Sequence, residues 1–167
     1  MEHEGAVEAA SALTDLSGKY LTFELASEVY GLEILKVQEI MGLMEVTKVP
    51  KLPDYVRGVI NLRGKVIPVI ELRLKFDMDT TEDTDRTCII VVQVATESHD
   101  VTMGIIVDEV KEVLDIQQNQ IEPTPSFGTS VNTSFIMGMG KTEENVIMLL
   151  DVDKVLTMLE LESITKS

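Results

Sequence analysis

Apolar and polar positions alternate or cluster in short runs along the chain, and turn residues separate the runs. The segment Leu21-Thr-Phe-Glu-Leu25 alternates with a period of two, which is typical of a half-buried β-strand. The segments Cys88–Val92 and Val66–Leu72 are almost entirely apolar, which predicts strands covered on both faces. Between apolar runs, Asn61-Leu-Arg-Gly-Lys65 predicts a hairpin tip, with Gly64 free to adopt a positive φ. The pattern predicts a mainly β fold of small barrels or sandwiches.

Three segments depart from the β pattern. Ile34, Val37 and the pair Ile40-Met41 have a spacing that indicates a short helical turn rather than a strand. Near the end of the chain, an apolar stripe with helical spacing predicts a helix over about residues 151–163. The stripe consists of Val152, Val155, Leu156 and Leu159. Residues 1–17 are predicted to form a mobile acidic tail.

The sequence contains an internal repeat. A shift of 73 residues aligns Gly31–Met41 with Gly104–Leu114. A shift of 80 aligns Val66–Leu72 with Val146–Val152, and a third block aligns at a shift of 69. The offsets grow at polar stretches, where loops lengthen at little cost in free energy. Because three ungapped blocks occur in the same order, the repeat indicates a duplicated architecture.

The repeat also predicts the organisation of the chain. We expect one domain over residues 18–167, with a first barrel at about 18–76 and a second at about 86–150. The stretch 77–85 is rich in Asp, Glu and Thr, which is too polar for a core. It is therefore predicted to be a linker that tolerates insertions.

Composition excludes several classes of partner and compartment. The formal net charge is −15, which argues against nucleic acid and against an anionic membrane surface, since both attract Lys and Arg. The single Cys88 cannot form an internal disulfide, which favours a reducing compartment. The start of the sequence has no signal-peptide pattern, and no apolar run has the length of a membrane span. We expect a cytoplasmic protein.

Charge is distributed unevenly between the two halves. Residues 19–76 carry nine Lys and Arg against seven Asp and Glu, whereas residues 77–167 carry five against eighteen. Most of these side chains are expected to be solvated surface. The asymmetry still indicates two faces that meet different partners.

The residues that usually carry catalysis are few and scattered. His3 lies in the tail, His99 lies in a loop that the repeat identifies as an insertion, and Cys88 opens an apolar strand. Two isolated histidines and one cysteine make neither a nucleophilic site nor a zinc site. The sequence predicts no enzyme activity, no metal and no cofactor.

Two motif fragments resemble ligand-binding loops but lack required residues. Gly140-Lys141-Thr142 matches the end of a phosphate-binding loop, but Phe135 stands where the first glycine would be. The stretch that begins at Asp77 hints at a calcium loop, but it lacks the required central glycine and the final bidentate glutamate.

The basic segment Arg57–Lys65 is the remaining feature with potential chemistry. The matching tip in the second half carries Glu143-Glu144, so the basic tip is specific to the first half. A guanidinium on a rigid tip is a good donor of paired hydrogen bonds. From the residues alone, Arg63 is either a binding residue or an ordinary exposed charge.

Three motifs of this chain resemble those of the CheW family of chemotaxis proteins. They are Ile34-Leu-Lys-Val-Gln-Glu-Ile40, Arg57-Gly-Val-Ile-Asn-Leu-Arg-Gly64 and Val66-Ile-Pro-Val-Ile-Glu-Leu72. The resemblance extends over roughly residues 18–160. It implies two intertwined five-stranded SH3-like barrels related by internal duplication, with a C-terminal helix. It also implies an adaptor between chemoreceptors and the regulatory domain of the histidine kinase CheA.

The resemblance carries individual roles to five positions. Val37, Gly58 and Arg63 match receptor-binding positions, and Ile34 and Glu39 match kinase-binding positions. No catalytic residue is implied. Two alternatives stay open at this stage: a CheW-like domain that regulates a kinase outside chemotaxis, and a small-ligand-binding β-barrel.

Overall fold

The structure is a computed structural model, and it describes residues 16–96, 99–125 and 134–155. The first half contains β1 (Gly18–Leu25), β2 (Glu28–Glu33), β3 (Val37–Gly42), β4 (Val56–Leu62), β5 (Lys65–Glu71) and a one-turn helix α1 (Leu72–Lys75). The second half contains β6 (Cys88–Ala95), β7 (Asp100–Val107), β8 (Glu109–Ile116), β9 (Ile121–Glu122), β10 (Ile136–Lys141) and β11 (Val146–Leu150). Short 3₁₀ turns occur at Ile34–Lys36, Gln118–Gln120 and Val152–Lys154.

These strands form two sheets with the same internal plan. The strand orders are β8-β1-β2-β11-β10-β9 and β3-β6-β7-β5-β4. In the repeat, β1, β2, β3, β4 and β5 correspond to β6, β7, β8, β10 and β11. With these equivalences, the first five strands of the six-stranded sheet have the same order as the strands of the five-stranded sheet. The parallel pair β2–β11 likewise corresponds to the parallel pair β7–β5. The predicted duplication is confirmed at the level of topology.

Strands are exchanged between the halves. One sheet combines β1 and β2 with strands of the second half, and the other combines β6 and β7 with β3, β4 and β5. The boundary between the two halves in sequence is therefore not a boundary between sheets. Each barrel therefore contains strands from both halves of the chain. The barrel limits inferred from the repeat, about 18–76 and 86–150, stay a prediction.

Backbone pairing closes each sheet into a small SH3-like barrel. In the five-stranded sheet, the chain after β3 returns to β4, where Thr47 and Val59 exchange two hydrogen bonds of 2.9 Å. In the other sheet, β9 pairs with β10 in the same way. Because of this closure, the segment that follows β3 lies against the β4–β5 hairpin.

The hydrophobic core explains why β6 is apolar on both faces. Ile90 and Val92 belong to a large central cluster, to which both sheets contribute. Ile89 and Val91 point the other way, into a smaller cluster with Ile60 and other residues of the five-stranded barrel. A third cluster, around Tyr20, belongs to the six-stranded barrel. The prediction for Cys88–Val92 is confirmed, because burial on both faces removes the need for alternation.

The predicted helical turn over residues 34–41 is wrong in its second part. Only Ile34–Lys36 form a 3₁₀ turn, and Val37–Gly42 form β3. In β3, Val37, Glu39 and Met41 are half-buried and the residues between them are exposed. The spacing of three between Ile34, Val37 and Ile40 imitated a helix because a turn and a strand meet there.

The two ends of the chain were predicted to be a mobile tail and a helix. Of the predicted C-terminal helix, residues 151–155 are described, and residues 152–154 form a 3₁₀ turn. The rest of that helix and residues 1–15 lie outside the described residues.

The linker 77–85 is exposed over most of its length but is anchored at two points. Arg73 donates a hydrogen bond to the Asp79 carbonyl oxygen, 3.1 Å away. Arg57 donates two hydrogen bonds to the Asp83 carboxylate, at 3.0 and 2.9 Å. The linker therefore follows the surface along a fixed path between β5 and β6.

Candidate protein-binding surface

The five predicted site residues lie on adjoining elements of the first half. Ile34 is in the 3₁₀ turn, Val37 and Glu39 are in β3, Gly58 is in β4, and Arg63 is at the tip of the β4–β5 hairpin. The β-strands among these elements belong to the five-stranded barrel.

The hairpin tip holds Arg63 in a defined place. Leu62 pairs with Lys65, so the loop contains only Arg63 and Gly64. Their φ angles are 53° and 86°, as two-residue hairpin turns that match strand twist require. The Asn61 side chain accepts a 2.8 Å hydrogen bond from the Gly64 N–H. The predicted tip is confirmed, and its side chain at Arg63 is 73% exposed.

Arg63 forms an ion pair with Glu39 across the gap between β3 and the hairpin. The guanidinium Nη2 donates to Glu39 Oε1, and this hydrogen bond raises the pKa of Arg63. Glu39 Oε2 is buried and accepts no hydrogen bond from the described residues. Two residues predicted to serve different partners therefore touch each other and form one continuous surface.

Ile34 and Val37 are half-buried and pack against the central cluster. Leu35, between them, is 94% exposed. Sequence reasoning missed Leu35, because a run of adjacent apolar residues does not reveal which one faces outward in a 3₁₀ turn. The combination of an anchored Ile34 and a protruding Leu35 gives this turn an apolar surface.

Gly58 lies inside the barrel wall rather than on the surface. Its φ is 152°, and the pairing of β4 with β5 shifts register between Val56 and Gly58. A Cβ at this position would lie 2.1 Å from the carbonyl oxygen of Thr47. Gly58 therefore allows the close approach of backbone that closes the barrel, and it offers no side chain to a partner.

An apolar hollow opens beside the hairpin. It has a volume of about 490 Å³ and is lined by Lys65, Val66 and Pro68 of β5 together with residues of β7 and of the segment before β4. Val66 is 66% exposed although it is apolar. The basic tip thus stands next to a surface suited to apolar side chains.

The structure also places the residues with potential catalytic or metal-binding chemistry. Among the described residues, no group of three or more His, Cys, Asp and Glu side chains could hold a metal ion. The Cys88 thiol is half-buried and donates to the Arg86 carbonyl oxygen. Gly140 and Lys141 pair with β11 in a hairpin, as the repeat predicts. No helix within the described ranges has the length and apolar character needed to cross a bilayer.

Comparison with known proteins agrees with this architecture. Residues 19–160 match the family model of the CheW-like domain. The chain is 38% identical to the chemotaxis protein CheW of Klebsiella aerogenes, over 86% of this chain and 84% of the relative. It is 34% identical to the chemotaxis protein CheW of Rhizobium meliloti, over 93% of this chain and 97% of the relative.

A solved structure gives the same result. The scaffolding protein TtCheW of Thermoanaerobacter tengcongensis superposes with a TM-score of 0.73 at 36% identity, covering 84% of this chain and 92% of that one. Topology, family match and solved structure thus agree along the whole barrel region. The chain belongs to the CheW family and is an adaptor of chemotaxis signalling.

Proposed function

We propose that this chain joins the cytoplasmic tips of chemoreceptors to the regulatory domain of CheA, without catalysing a reaction itself. The observation that carries the proposal is the fixed Arg63 tip paired with Glu39. Together these residues form a polar centre; the hollow at Val66 adjoins the hairpin that carries Arg63, and the turn at Leu35 precedes the strand that carries Glu39.

The receptor is proposed to bind at the hairpin, where Arg63 and Val37 are the contact residues and Gly58 shapes the strand. A receptor tip is a bundle of helices, and a helix presents a stripe of apolar side chains flanked by polar ones. The apolar hollow accepts the stripe, and the guanidinium of Arg63 fixes the register by hydrogen bonding to a carboxylate or carbonyl group of the receptor.

The kinase is proposed to bind around Ile34 and Glu39. An adaptor transmits a signal only when binding at one site changes the free energy of binding at the other. The ion pair offers a direct route, because a receptor that attracts the Arg63 guanidinium changes the hydrogen bonding of Glu39. The protein is then a cytoplasmic component that is recruited to receptor arrays at the membrane.

Titration calorimetry with a receptor cytoplasmic fragment and with the CheA regulatory domain tests the proposal. We expect the unaltered chain to bind both, and Arg63→Ala to weaken receptor binding about tenfold or more while changing kinase binding much less. Arg86→Ala is the matched control, since the Arg86 side chain is 71% exposed and its ion pair with Glu109 is a loose 3.9 Å contact. Equal weakening by both substitutions would show a general charge effect. A chain that binds neither partner would refute the proposal.

A further inference from the structure

One carboxylate ties the 3₁₀ turn Ile34–Lys36 to the rest of the fold. Asp153 Oδ2 accepts a 2.8 Å hydrogen bond from Lys36 Nζ, and Asp153 Oδ1 accepts a 2.8 Å hydrogen bond from the Ala95 N–H. Asp153 itself lies in the turn that follows β11 and is held by a hydrogen bond from its own N–H to Asp151. The junction of β2 with β3, the end of β6 and the end of β11 therefore meet at Asp153.

The hydrogen bond from Lys36 to Asp153 raises the pKa of Lys36 above its usual value. The side chains of Lys36 and Asp153 are 30% and 28% exposed. A partly buried pair of this kind is screened less by solvent than a surface pair. It is therefore suited to holding a short turn in one position.

The duplicated fold contains an equivalent arrangement with the charges exchanged. At the junction of β7 with β8, Asp108 accepts a 2.9 Å hydrogen bond from the Ala26 N–H and two hydrogen bonds from Arg73. Arg73 follows β5 just as Asp153 follows β11, whereas Asp108 corresponds in the repeat to Leu35, one residue before Lys36. Both arrangements join the two halves, but the Arg73–Asp108 pair does not contact the turn at Ile34.

The turn held by Lys36 presents an apolar side chain to solvent. Leu35 is 94% exposed, and a hollow of about 290 Å³ lies beside it, lined in part by Tyr20 and Ile34. A leucine with this exposure adds little to the stability of the chain. An exposed apolar side chain on a fixed turn beside a hollow is instead suited to anchor a partner protein.

We propose that Asp153 is a positioning residue for kinase binding, which it supports by holding Lys36 so that Leu35 can anchor the CheA regulatory domain. This inference rests on the proposed function, because it assigns the turn at Ile34 to the kinase. It adds Leu35 as a contact residue and Asp153 as a residue that acts through it.

Asp153→Asn and Asp108→Asn form a matched pair for the test. Each asparagine keeps an oxygen for its backbone N–H and loses the charge that faces Lys36 or Arg73. We expect both variants to lower the urea midpoint, and only Asp153→Asn to weaken binding of the CheA regulatory domain, by about five- to tenfold. Receptor binding is expected to be unchanged in both.

Leu35→Ala distinguishes the direct contact proposed for Leu35 from the positioning role proposed for Asp153. We expect it to leave the urea midpoint unchanged and to weaken kinase binding about tenfold. In the Leu35→Ala background, Asp153→Asn is expected to have little further effect, because it acts through the same side chain. Additive losses, or equal effects of Asp153→Asn and Asp108→Asn on kinase binding, would overturn the inference. If the unaltered chain binds no CheA domain, the proposed function itself fails.

Discussion

The guanidinium of Arg63 is ion-paired with the carboxylate of Glu39, although 23 residues separate them in the sequence. The pair spans the gap that barrel closure leaves between β3 and the β4–β5 hairpin. It places the proposed receptor and kinase surfaces in direct contact. Coupling between the two partners then requires no long path through the core.

The guanidinium of Arg63 can donate two parallel hydrogen bonds to a receptor group. We expect Arg63→Lys to keep the urea midpoint, because an ammonium still faces Glu39, and to restore only part of the receptor affinity lost in Arg63→Ala. The reason is that an ammonium cannot present two parallel donors. Calorimetry of both variants with the receptor fragment measures this. Full recovery by lysine would mean that only the positive charge matters.

Gly58 is expected to act on the fold rather than through a contact. Gly58→Ala places a Cβ against the Thr47 carbonyl oxygen and is expected to destabilise the chain by more than about 2 kcal/mol. Gly64→Ala is the control, because Gly64 also has a positive φ but has open space around it, so the cost is only about 1 kcal/mol. Urea unfolding compares the two. Similar losses of unfolding free energy in the two variants would show that the backbone at Thr47 moves away easily from the added Cβ.

Asp108 is expected to make stability depend on pH. Burial raises its pKa, but the hydrogen bonds from Arg73 and Ala26 and the charge of Arg73 outweigh burial, so the pKa lies below the usual value. A carboxyl with a lowered folded-state pKa stabilises the fold above its unfolded pKa, and this stability is lost as the pH falls through the folded pKa.

The stability difference between the unaltered chain and Asp108→Asn is therefore expected to be constant near neutral pH and to shrink below about pH 4. Urea unfolding at a series of pH values measures it. A difference that stays constant down to pH 2 would show that Asp108 does not titrate in this way.

The linker is expected to tolerate insertion only between its anchors. Thr80 and Thr81 are exposed and lie between the contacts at Asp79 and Asp83. Three Gly and Ser residues inserted between these threonines should cost less than about 1 kcal/mol, because loop closure depends weakly on length. The same insertion after Thr84 should cost more, since Thr84 and Thr87 form a hydrogen-bonded turn before β6. Urea unfolding that shows equal costs would contradict the anchoring.

The sequence was sufficient to predict the strands at Leu21–Leu25, Val66–Leu72 and Cys88–Val92 and the hairpin tip from local patterns, and the duplication from the repeated blocks. The pattern of residues alone could not predict the exchange of strands between sheets, which only the family resemblance implied as intertwined barrels. Equivalent strands of the two halves have apolar residues at matching positions, so these positions fit pairing within a half and pairing between halves equally well. Only the complete packing of both halves around the central cluster decides between them.

The error at β3 has a related cause. Glu39 takes an inward position of an alternating strand, between Val37 and Met41. A charged residue at such a position breaks the β pattern, and the helical spacing then fits better. Glu39 is tolerated there because it reaches Arg63, a contact that depends on barrel closure and is invisible in local sequence. The charged site residue Glu39 is therefore the reason why the sequence pattern did not predict β3.

One molecule of this chain is proposed to bind receptor and kinase at the same time. Size-exclusion chromatography with light scattering tests it on a mixture of receptor fragment, CheA regulatory domain and this chain. We expect the receptor fragment and the kinase domain to elute together only when the chain is present, and Arg63→Ala to release the receptor fragment alone. Receptor fragment and kinase domain that displace each other from the chain would contradict the claim.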